Sequence, residues 1–531
     1  MWQTRRSARA LVCVLASGWA SGFGVGCGGA GDGAPPAGPP LPPLVEDRGV
    51  YAQDAAVPVL TVKLTVADLA GLAAVDDNVP GAEVPVVFEE GGYVSNGRLE
   101  LRGATTRLAA QKSYKVHLAK DQPLWRGYRE VNLNKHPFDL TRVRNKLSFD
   151  ILRTAPDLTS LRTQFAHVTL NGRDLGLFTA VEEMDRRFLE SHGLDPAGTL
   201  YKAKSFSFQQ ISPDVVRDPA TLQSFIEAKA NPNPDKLTAM LADVHNFRLD
   251  INTVIERRFN RANYITWLAV NILIGQWDAV GQNYYLYSPS GYEGFYFLPW
   301  DYDGAWGFYE QPGQPGRRRW RAGLSNWWGS DLHRRFLENQ DNVRELEATM
   351  AALAAAAVSD GAAAALLAAY RDIVRAFVAR PPDIDGLPAH AAATSADALA
   401  QWHSEYERIE GSVARYQDEY RQVAERPMPI ALHGFFPGDS SLRFEWGKSY
   451  DPQGDRLTYD LQISRTTGFE PENVLTQQEG LRGTAALISR PPPGAYYWRV
   501  IVRDGKNPAD HWQVPFVLHE PFQIATMGAG R

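Results

Sequence analysis

The hydrophobic residues of this 531-residue chain change their spacing twice, and this change most constrains the fold. Between residues 58 and 204 they alternate with polar residues, as in "VPVLTVKLTV" and "KSYKVHL", which is typical of strands with one buried face. Between 218 and 425 they recur at helical spacing, as in "YITWLAVNILIG". Short alternating runs separated by Pro and Gly return between 428 and 520.

This order predicts an α+β protein with a body at 58–425 and a small all-β sandwich at 428–520. The part at 58–204 is expected to be mostly antiparallel sheet with one embedded helix at 140–155 and a tight turn at Asn171-Gly172. The part at 205–425 is expected to be mostly helical, with one buried helix across 256–276 and a two-stranded insert at 283–300.

The N-terminus has the features of an export signal. Three Arg precede a short apolar stretch that ends at "GVGC", residues 24–27, and this resembles a bacterial lipoprotein signal at 1–26 with Cys27 as the lipidation site. Residues 27–57 are rich in Gly, Pro and Ala and are predicted to be a disordered linker. The prediction is an extracytoplasmic protein of the bacterial cell envelope, in contact with a membrane through a lipid anchor only. Plain secretion is the alternative.

Cysteine count and charge exclude several classes of protein. The chain has two Cys, and Cys13 would leave with the signal, so no disulfide within the mature chain and no Cys-based zinc site is expected. The net charge is −6 and no domain is basic, so no nucleic-acid partner is predicted. The one dense basic run is "GRRRWR" at 316–321, for which a solvated loop is favoured over a site for an acidic partner.

Acidic and amide side chains flank the two-stranded insert. Asp278 follows the apolar run of the buried helix, Asn283 comes five residues later, and Asp301 and Asp303 follow in "PWDYDG". One Asp to orient a hydroxyl, then an Asn and an Asp to hold Mg²⁺ against phosphates, is the order of residues in a phosphoryl-transfer site. Hard cations take oxygen ligands, which these side chains supply.

Other chemistries lack their motifs. An EF-hand register from Asp301 puts Pro312 where Glu is required. The chain has no Gly-x-x-x-x-Gly-Lys-Ser/Thr run, no His-Glu-x-x-His run and, in the mature body, no Gly-x-Ser-x-Gly run. A P-loop, a zinc protease and a serine hydrolase are therefore not predicted.

Four longer strings, in order, carry a family resemblance: "LELRGATTRLAAQKSYKVHL", "NLNKHPFDLTRVRNKLSFDILR", "VTLNGRDLGLFTAVEEMDRRFL" and "WDAVGQNYYLYSPSGYEGFYFLPWDYDGAWG". Together they resemble the CotH family of secreted atypical protein kinases, typified by a spore-coat protein, over about residues 58–345. Within 428–520, "DPQGDRLTYDLQISRTTGF" and "PPPGAYYWRVIVRDG" resemble fibronectin type III-like modules.

The resemblance to CotH implies a protein-kinase-like two-lobe body, with an antiparallel β N-lobe at 58–204 and a helical C-lobe at 205–425. It implies transfer of the ATP γ-phosphate to Ser or Thr of a secreted or envelope protein, with Mg²⁺ or Mn²⁺ as the metal. Asp278 matches the catalytic residue, and Asn283 and Asp301 match metal-binding residues. Asp303 either ligates the metal or hydrogen-bonds a ligand.

The resemblance also implies nucleotide-binding residues. The family's Arg-Gly-Asn-Ser-Ser turn is "RGATT" here, with Arg102 and Gly103 retained and Ala104 in place of Asn. Lys112 is the first candidate for reaching the α- and β-phosphates and Lys115 is the second. Glu182 either pairs with the lysine or lies near the nucleotide.

Each candidate also has a purely structural interpretation. Asp278 could cap the first turn of the insert, Asn283 could satisfy a strand end, and the two lysines could be surface residues. Arg144 and Asn145 are expected to anchor the embedded helix rather than contact nucleotide, and Trp300 and Trp306 are expected in the core. At the level of function, a non-catalytic surface protein used in adhesion, coat or envelope assembly is the first alternative, and a carbohydrate-associated scaffold is the second.

Overall fold

A computed structural model describes residues 39–44, 57–388, 394–438, 440–507 and 509–524. The predicted signal at 1–26 and the lipidation candidate Cys27 lie outside these residues. Residues Gly38–Arg531 belong to one compact unit, so the domain boundaries given above remain predictions. Helices and several sheets alternate along the chain, which confirms the α+β class.

Seven strands near the N-terminus close into a barrel in the order β1-β2-β3-β4-β5-β7-β6. They are β1 (Val59–Thr65), β2 (Val84–Glu90), β3 (Tyr93–Arg102), β4 (Ser113–Leu118), β5 (Glu130–Asn134), β6 (Thr163–Leu170) and β7 (Arg173–Val181). β1 pairs with β6 in parallel. The other six pairs are antiparallel, in agreement with the expected mostly antiparallel sheet. One parallel pair is required because a ring with an odd number of strands cannot alternate direction at every pair.

Strand alternation places side chains inside and outside the barrel as the sequence predicts. Tyr114 and Val116 of β4 lie in the barrel core, while Lys115 between them faces outward and is half-buried. The hairpin between β6 and β7 turns at Asn171 (φ 50°) and Gly172 (φ 76°). Two successive left-handed residues match the twist of the flanking strands, so the predicted tight turn is confirmed.

Three helices accompany the barrel strands: α1 (Leu69–Asp76), α2 (Arg144–Leu152) and α3 (Arg186–Ser191). Helix α2 is the predicted embedded helix and every residue of it is buried. The Arg144 guanidinium is fully buried and pairs with Asp139 and, far along the chain, with Glu405. The expected anchoring role of Arg144 is therefore confirmed.

A mostly helical region follows the barrel. Its helices are α4 (Pro213–Arg217), α5 (Pro219–Leu222), α6 (Pro234–His245), α7 (Ile251–Arg258), α8 (Arg261–Leu273), α9 (Asp331–Leu337), α10 (Gln340–Ala354), α11 (Asp360–Val378), α12 (Ser395–Ile409) and α13 (Ser412–Ala424). The single helix predicted across 256–276 is two helices, because Asn260 caps α8 by accepting from the Asn263 amide at 2.9 Å. Among the described residues, no helix has both the length and the apolarity to cross a bilayer.

Four more strands form a sheet within this helical region, in the order β11-β10-β8-β9. They are β8 (Thr199–Ala203), β9 (Ile226–Ala230), β10 (Tyr284–Ser288) and β11 (Tyr296–Pro299), and the last two are the predicted insert. The sequence boundary at 204 assigned β8 to the N-terminal sheet, but β8 pairs with β10, with Lys202 opposite Tyr285. The sheet therefore brings Lys202 next to the insert.

Part of the predicted linker is ordered against the helical region. Asn260 donates to the carbonyl of Pro42 at 2.9 Å, the Tyr296 hydroxyl donates to the same carbonyl at 2.5 Å, and Leu44 is buried. The prediction of disorder across the whole of 27–57 was wrong for residues 39–44. Leu44 belongs to the main apolar cluster and Leu41 packs against it, which composition alone does not reveal.

The C-terminal strands are β12 (Leu432–Pro437), β13 (Ser441–Trp446), β14 (Thr458–Ser464), β15 (Val474–Leu481), β16 (Ala485–Ser489), β17 (Gly494–Arg503), β18 (Trp512–Gln513) and β19 (Glu520–Ile524). They form a three-stranded sheet, β12-β13-β16, and a five-stranded sheet that contains the other strands. One apolar cluster lies between the two sheets and includes Trp446 and Trp498. We refer to residues 432–524 as the C-terminal sheets.

The basic run at 316–321 fastens the C-terminal sheets to the helical region. Arg319 donates to the carbonyl of Trp512 at 3.0 Å, and its guanidinium stacks 3.9 Å from the centre of that ring. Arg318 donates to the carbonyl of Phe516, and Arg317 pairs with Glu419. The favoured interpretation as a solvated loop was wrong for these arginines, because their acceptors come from distant strands and helices.

A second buried ion pair joins the barrel to the chain after α11. Lys135 donates to the Asp383 carboxylate at 2.6 Å, and both side chains are about 1% exposed. The other oxygen of Asp383 accepts from the Leu177 amide of β7 at 2.8 Å. Burial lowers the pKa of Lys135 to about 8, against the attraction of Asp383.

Replacing Asp383 with Ala is expected to lower the free energy of unfolding by roughly 3–5 kcal/mol, because it leaves Lys135 buried without its counter-charge. Asp385, two residues on, is exposed, so Asp385→Ala is the matched control and should stay within about 0.5 kcal/mol. Urea denaturation followed by circular dichroism measures both. Equal effects of the two substitutions would contradict the assignment of Asp383 as a clamp.

Candidate functional site

The hairpin of β10 and β11 holds Asn283 and Asp301 at one end. Asn283 precedes β10, Asp301 follows β11, and the Trp300 amide donates to the Asn283 carbonyl at 3.1 Å. Both residues adopt the left-handed conformation, with φ of 61° and 55°. Asn and Asp tolerate this conformation better than most residues, and here it turns both away from the strand direction next to a cavity.

Asp278 lies beside this pair, in the short turn after α8. Its carboxylate accepts from the Gln282 amide at 2.6 Å and faces the Asn283 amide at 3.4 Å. A hydrogen bond with Tyr309 adds to these. Burial raises the pKa of Asp278, and the charge of Arg321 acts in the opposite direction. These side-chain donors disfavour the purely structural interpretation of Asp278 as a backbone cap.

Two adjoining cavities meet at these residues. The central cavity, about 550 Å³, is lined by the loop Arg102–Thr106 and by Asp278, Asn283, Asp301 and Asp303. The basic cavity, about 480 Å³, shares Arg102, Gly103, Asn283 and Asp301 with it. Six cationic side chains line the basic cavity, against three carboxylates: Arg102, Arg107, Lys115, Lys202, Lys204 and Lys229, with Glu100, Glu183 and Asp301.

Lys115 forms an ion pair in the basic cavity, but with Glu183 rather than Glu182. Its ammonium lies 3.3 Å from the Glu183 carboxylate and also contacts Glu130. Burial alone would lower the pKa of Lys115, but the charges of Glu183 and Glu130 outweigh it and raise the pKa. Adjacent residues of an extended segment point to opposite sides. Glu182 and Glu183 are adjacent, so only one of them can face Lys115.

Glu182 accordingly points away from both cavities. Its carboxylate accepts from the Arg162 backbone amide at 2.9 Å, and its other contacts include His192 and Tyr128. Glu182 therefore does not line either cavity, and Glu183 lines the basic cavity.

The structure reverses the preference between the two candidate lysines. The Lys112 ammonium donates to the Arg107 carbonyl at 2.8 Å and so fastens the loop after β3, and Lys112 lines neither cavity. Lys115, which follows Lys112 by three residues and lies within β4, faces the basic cavity. Arg102 reaches Asn134 at 2.5 Å and lies 5.6 Å above the Trp300 ring.

Lys202 is a site residue that sequence reasoning missed. Its ammonium lies 4.8 Å from the centre of the buried Trp300 ring and, among the described residues, has no carboxylate within ion-pair distance. Burial, and then the charge of Arg102, lower the pKa of Lys202 to about 8, and Asp301 acts in the opposite direction. The alternation in "TLYKAK" was a usable signal, but its pairing with β10 was not visible in the sequence.

The residues around Asp301 fit a divalent cation. The Asp301 carboxylate accepts no hydrogen bond from the described part of the chain, although its backbone carbonyl accepts from Gln276 at 3.3 Å. Burial and then the charge of Asp303 raise the pKa of this carboxylate. Asp303 lies 3.6 Å from the ring of His136. The amide nitrogen of Asn283 faces Asp278, so its amide oxygen is the atom that can ligate a cation. Crowded carboxylates with a neighbouring amide oxygen form the ligand set that Mg²⁺ or Mn²⁺ prefers.

Comparison with known proteins gives two matches. A family model described as CotH kinase protein matches residues 99–424, which is more than half of the chain. Inner spore coat protein H of Bacillus subtilis (strain 168) is 30% identical over 239 residues, which cover 42% of this chain and 62% of that protein. The chain therefore spans less than two thirds of this relative's length. The resemblance of the four longer strings to the CotH family is confirmed.

The lowered pKa of Lys202 predicts that a phosphate-bearing ligand binds less tightly above about pH 8. Bound anion raises the pKa of a lysine that contacts it, so affinity falls up to about tenfold per pH unit once the free lysine loses its proton. Titration calorimetry with ATP between pH 7 and 9.5 measures this.

The Lys202→Arg variant keeps its charge across this range and is expected to have a flat profile. Lys112→Arg is the control, and it should keep the wild-type profile because Lys112 faces the loop. A Lys202→Arg profile as steep as that of the wild type would contradict the role of Lys202.

Proposed function

Because this chain belongs to the CotH kinase protein family, we propose that it is a protein kinase of the cell envelope that transfers the γ-phosphate of ATP to Ser or Thr. In this proposal the barrel and the helical region act as the two lobes of a kinase-like body, and the central and basic cavities are the nucleotide cleft. The observation that carries it is the convergence of Asp278, Asn283 and Asp301 beside a cavity rich in lysine and arginine.

The basic cavity supplies the charge that a triphosphate needs. ATP brings several negative charges, and Lys115 and Lys202 approach the cavity from β4 and β8 respectively. The Lys115–Glu183 ion pair fixes the position of one ammonium group, and such lysine–glutamate pairs position phosphates in protein kinases. Arg102 and Gly103 line both cavities, so the loop after β3 covers the phosphates in this proposal.

Asn283 and Asp301 would hold Mg²⁺ or Mn²⁺, which would neutralise the charge that develops on the transferred group. Asp303 lies near His136, and it would either ligate the metal or orient a residue that ligates the metal. Asp278 accepts the proton of the acceptor hydroxyl while the hydroxyl oxygen bonds to phosphorus and ADP leaves. Gln282 and Tyr309 hold the carboxylate of Asp278 in position for this.

The location and partners are also part of the proposal. The relative's name places that protein in the inner spore coat, and this supports an extracytoplasmic site of action for the present chain. We propose a lipid anchor at Cys27, secreted or envelope proteins as substrates, and no nucleic-acid partner. The family match supports the choice of ATP and a divalent metal as cofactors.

Asp278→Asn is expected to lower phosphoryl transfer by roughly 10²–10⁴-fold, because the amide cannot accept the hydroxyl proton. ATP affinity should change little, since Asp278 does not line the basic cavity, where Lys115 and Lys202 are proposed to hold the phosphates. Transfer of labelled phosphate from ATP to the protein itself and to added protein substrates measures the first quantity, and calorimetry measures the second.

Asp121→Asn, at an exposed position away from both cavities, is the control and should keep full activity. Equal labelling of wild-type protein and Asp278→Asn would refute the proposed role of Asp278.

ATP together with Mg²⁺ is expected to stabilise the folded protein by on the order of 2 kcal/mol at saturating concentration, since a ligand that binds only the folded state shifts unfolding by mass action. Asp301→Asn should lose the metal-dependent part of this stabilisation, while Asn keeps the left-handed backbone without strain. Thermal unfolding with and without EDTA measures both. Absence of any shift with wild-type protein would favour the non-catalytic surface protein instead.

A further inference from the structure

A third cavity adjoins the proposed cleft, and it shares Lys204 and Gln282 with the basic cavity. This side cavity is about 290 Å³ and shares Asp278 and Gln282 with the central cavity. Its walls come from four separate stretches of the chain: residues 204–207, 277–282, 320–329, and Phe516 of the C-terminal sheets. The carboxylate proposed to accept a hydroxyl proton is thus reached from a second direction.

One wall of the side cavity is aromatic and is held in place before any ligand arrives. The rings of Trp320 and Phe516 meet edge to face, with centres 5.3 Å apart and planes at 78°. The bonds of Arg318 and Arg319 to the C-terminal sheets hold Trp320 against Phe516. Gly329 also lies next to Phe516, since a Cβ at this position would be 3.4 Å from the ring, which is ordinary van der Waals contact.

Apart from Asp278, the charged side chains that line the side cavity are cationic. Lys204 and Arg321 both face it, and Asp278 is the one carboxylate among its described lining residues. The Arg321 guanidinium rests against the rings of Tyr309 and Trp320, at 6.0 and 5.5 Å, and no carboxylate of the described chain pairs with it. The arginines just before it are all bound to protein acceptors, so Arg321 is the cation of this run that remains available.

We propose that the side cavity binds the acceptor segment, and that it selects a Ser or Thr followed or preceded by carboxylate side chains. This inference rests on the proposed kinase function and adds the substrate class. The acceptor hydroxyl lies at Asp278, an acidic neighbour pairs with Arg321 and Lys204, and Trp320 and Phe516 pack against the flanking residue. The C-terminal sheets therefore complete the substrate site through Phe516, and the kinase body alone lacks that wall.

Charge complementarity is the argument for this occupant over others. A Lys- or Arg-rich acceptor would place like charges beside Arg321 and Lys204, and like-charge contact is costly where water is partly excluded. An acidic acceptor meets a cation that, among the described residues, has Asp278 nearby but no carboxylate within ion-pair distance. The aromatic wall adds contact area that does not depend on sequence, which suits a main-chain segment lying across it.

The test measures peptide binding separately from phosphate transfer. Two fluorescein-labelled peptides differ only at the residues beside one Ser, which are Asp and Glu in the first and Lys and Lys in the second. Fluorescence anisotropy with the full chain, Mg²⁺ and a non-hydrolysable ATP analogue is expected to give about tenfold tighter binding of the acidic peptide at low salt. The difference should shrink at high salt, because the contacts with Arg321 are partly exposed.

Arg321→Glu is expected to reverse the preference between the two peptides. Arg421→Glu is the matched control, since it makes the same change in net charge at an exposed position on α13 and should leave the preference intact. Phe516→Ala should weaken the acidic peptide several-fold, while Phe436→Ala, at an exposed Phe of the same sheets, should not. Thermal unfolding of each variant verifies that the sheets are still folded.

Equal binding of both peptides by the wild type, or an unchanged preference in Arg321→Glu, would overturn the inference. A transfer assay with the same peptides and labelled ATP addresses the proposed function separately. Selective binding of the acidic peptide without any transfer would refute the kinase while leaving the side cavity as an acidic-segment site. Transfer to both peptides at equal rate and affinity would leave the kinase and refute the selectivity.

Discussion

The pairing of β10 with β11 is the constraint on which the proposed site depends. The hydrogen bond from the Trp300 amide to the Asn283 carbonyl closes the hairpin at the end where Asn283 and Asp301 leave it. Ladder hydrogen bonds keep the two strands about 5 Å apart, so residues separated by 18 positions in sequence become neighbours. Two left-handed residues then face the same cavity, which a regular continuation of either strand would not allow.

Buried charge holds the walls of the cleft around that hairpin. Arg144 connects α2 to Glu405 of α12, and Lys135 connects the barrel to Asp383 after α11. Each pair links segments more than 240 residues apart in sequence. Burying charge is costly, and replacing one partner leaves the other without compensation, so such pairs favour one relative placement of the segments over alternatives. In this protein that placement sets the distance between Lys115 on the barrel and Asp301 on the hairpin.

Local features of the fold were predictable from sequence. The turn at Asn171-Gly172, the helix at 144–152 and the hairpin around the insert follow from turn chemistry and from hydrophobic spacing, both of which act within a few residues. Barrel closure was not predictable in this way, because the parallel pairing of β1 with β6 joins residues about 105 positions apart and follows from the ring having seven strands. The same limit explains β8, whose partner β10 lies about 85 residues further along the chain.

The candidate site shows the same division between local and distant information. Asp278, Asn283 and Asp301 lie within 24 residues, and the motif that contains them places them together in the structure. Glu182 and Glu183 are adjacent and directly follow β7. The register of β7 against β5 pairs Val181 with Asn132, and this register determines that Glu183 faces Lys115. Lys202 and Arg321 enter the cavities through strand pairing and through docking of the C-terminal sheets. Their roles depend on contacts that no short motif encodes.

The most direct test of the account is to locate the metal. Crystals of the protein grown with Mn²⁺ and a non-hydrolysable ATP analogue, measured near the manganese absorption edge, would show the ion through its anomalous scattering. The proposed metal site predicts an anomalous-scattering peak about 2.1 Å from the amide oxygen of Asn283 and from a carboxylate oxygen of Asp301. Nucleotide bound in the cleft with no manganese between these two residues, or with manganese elsewhere, would contradict it.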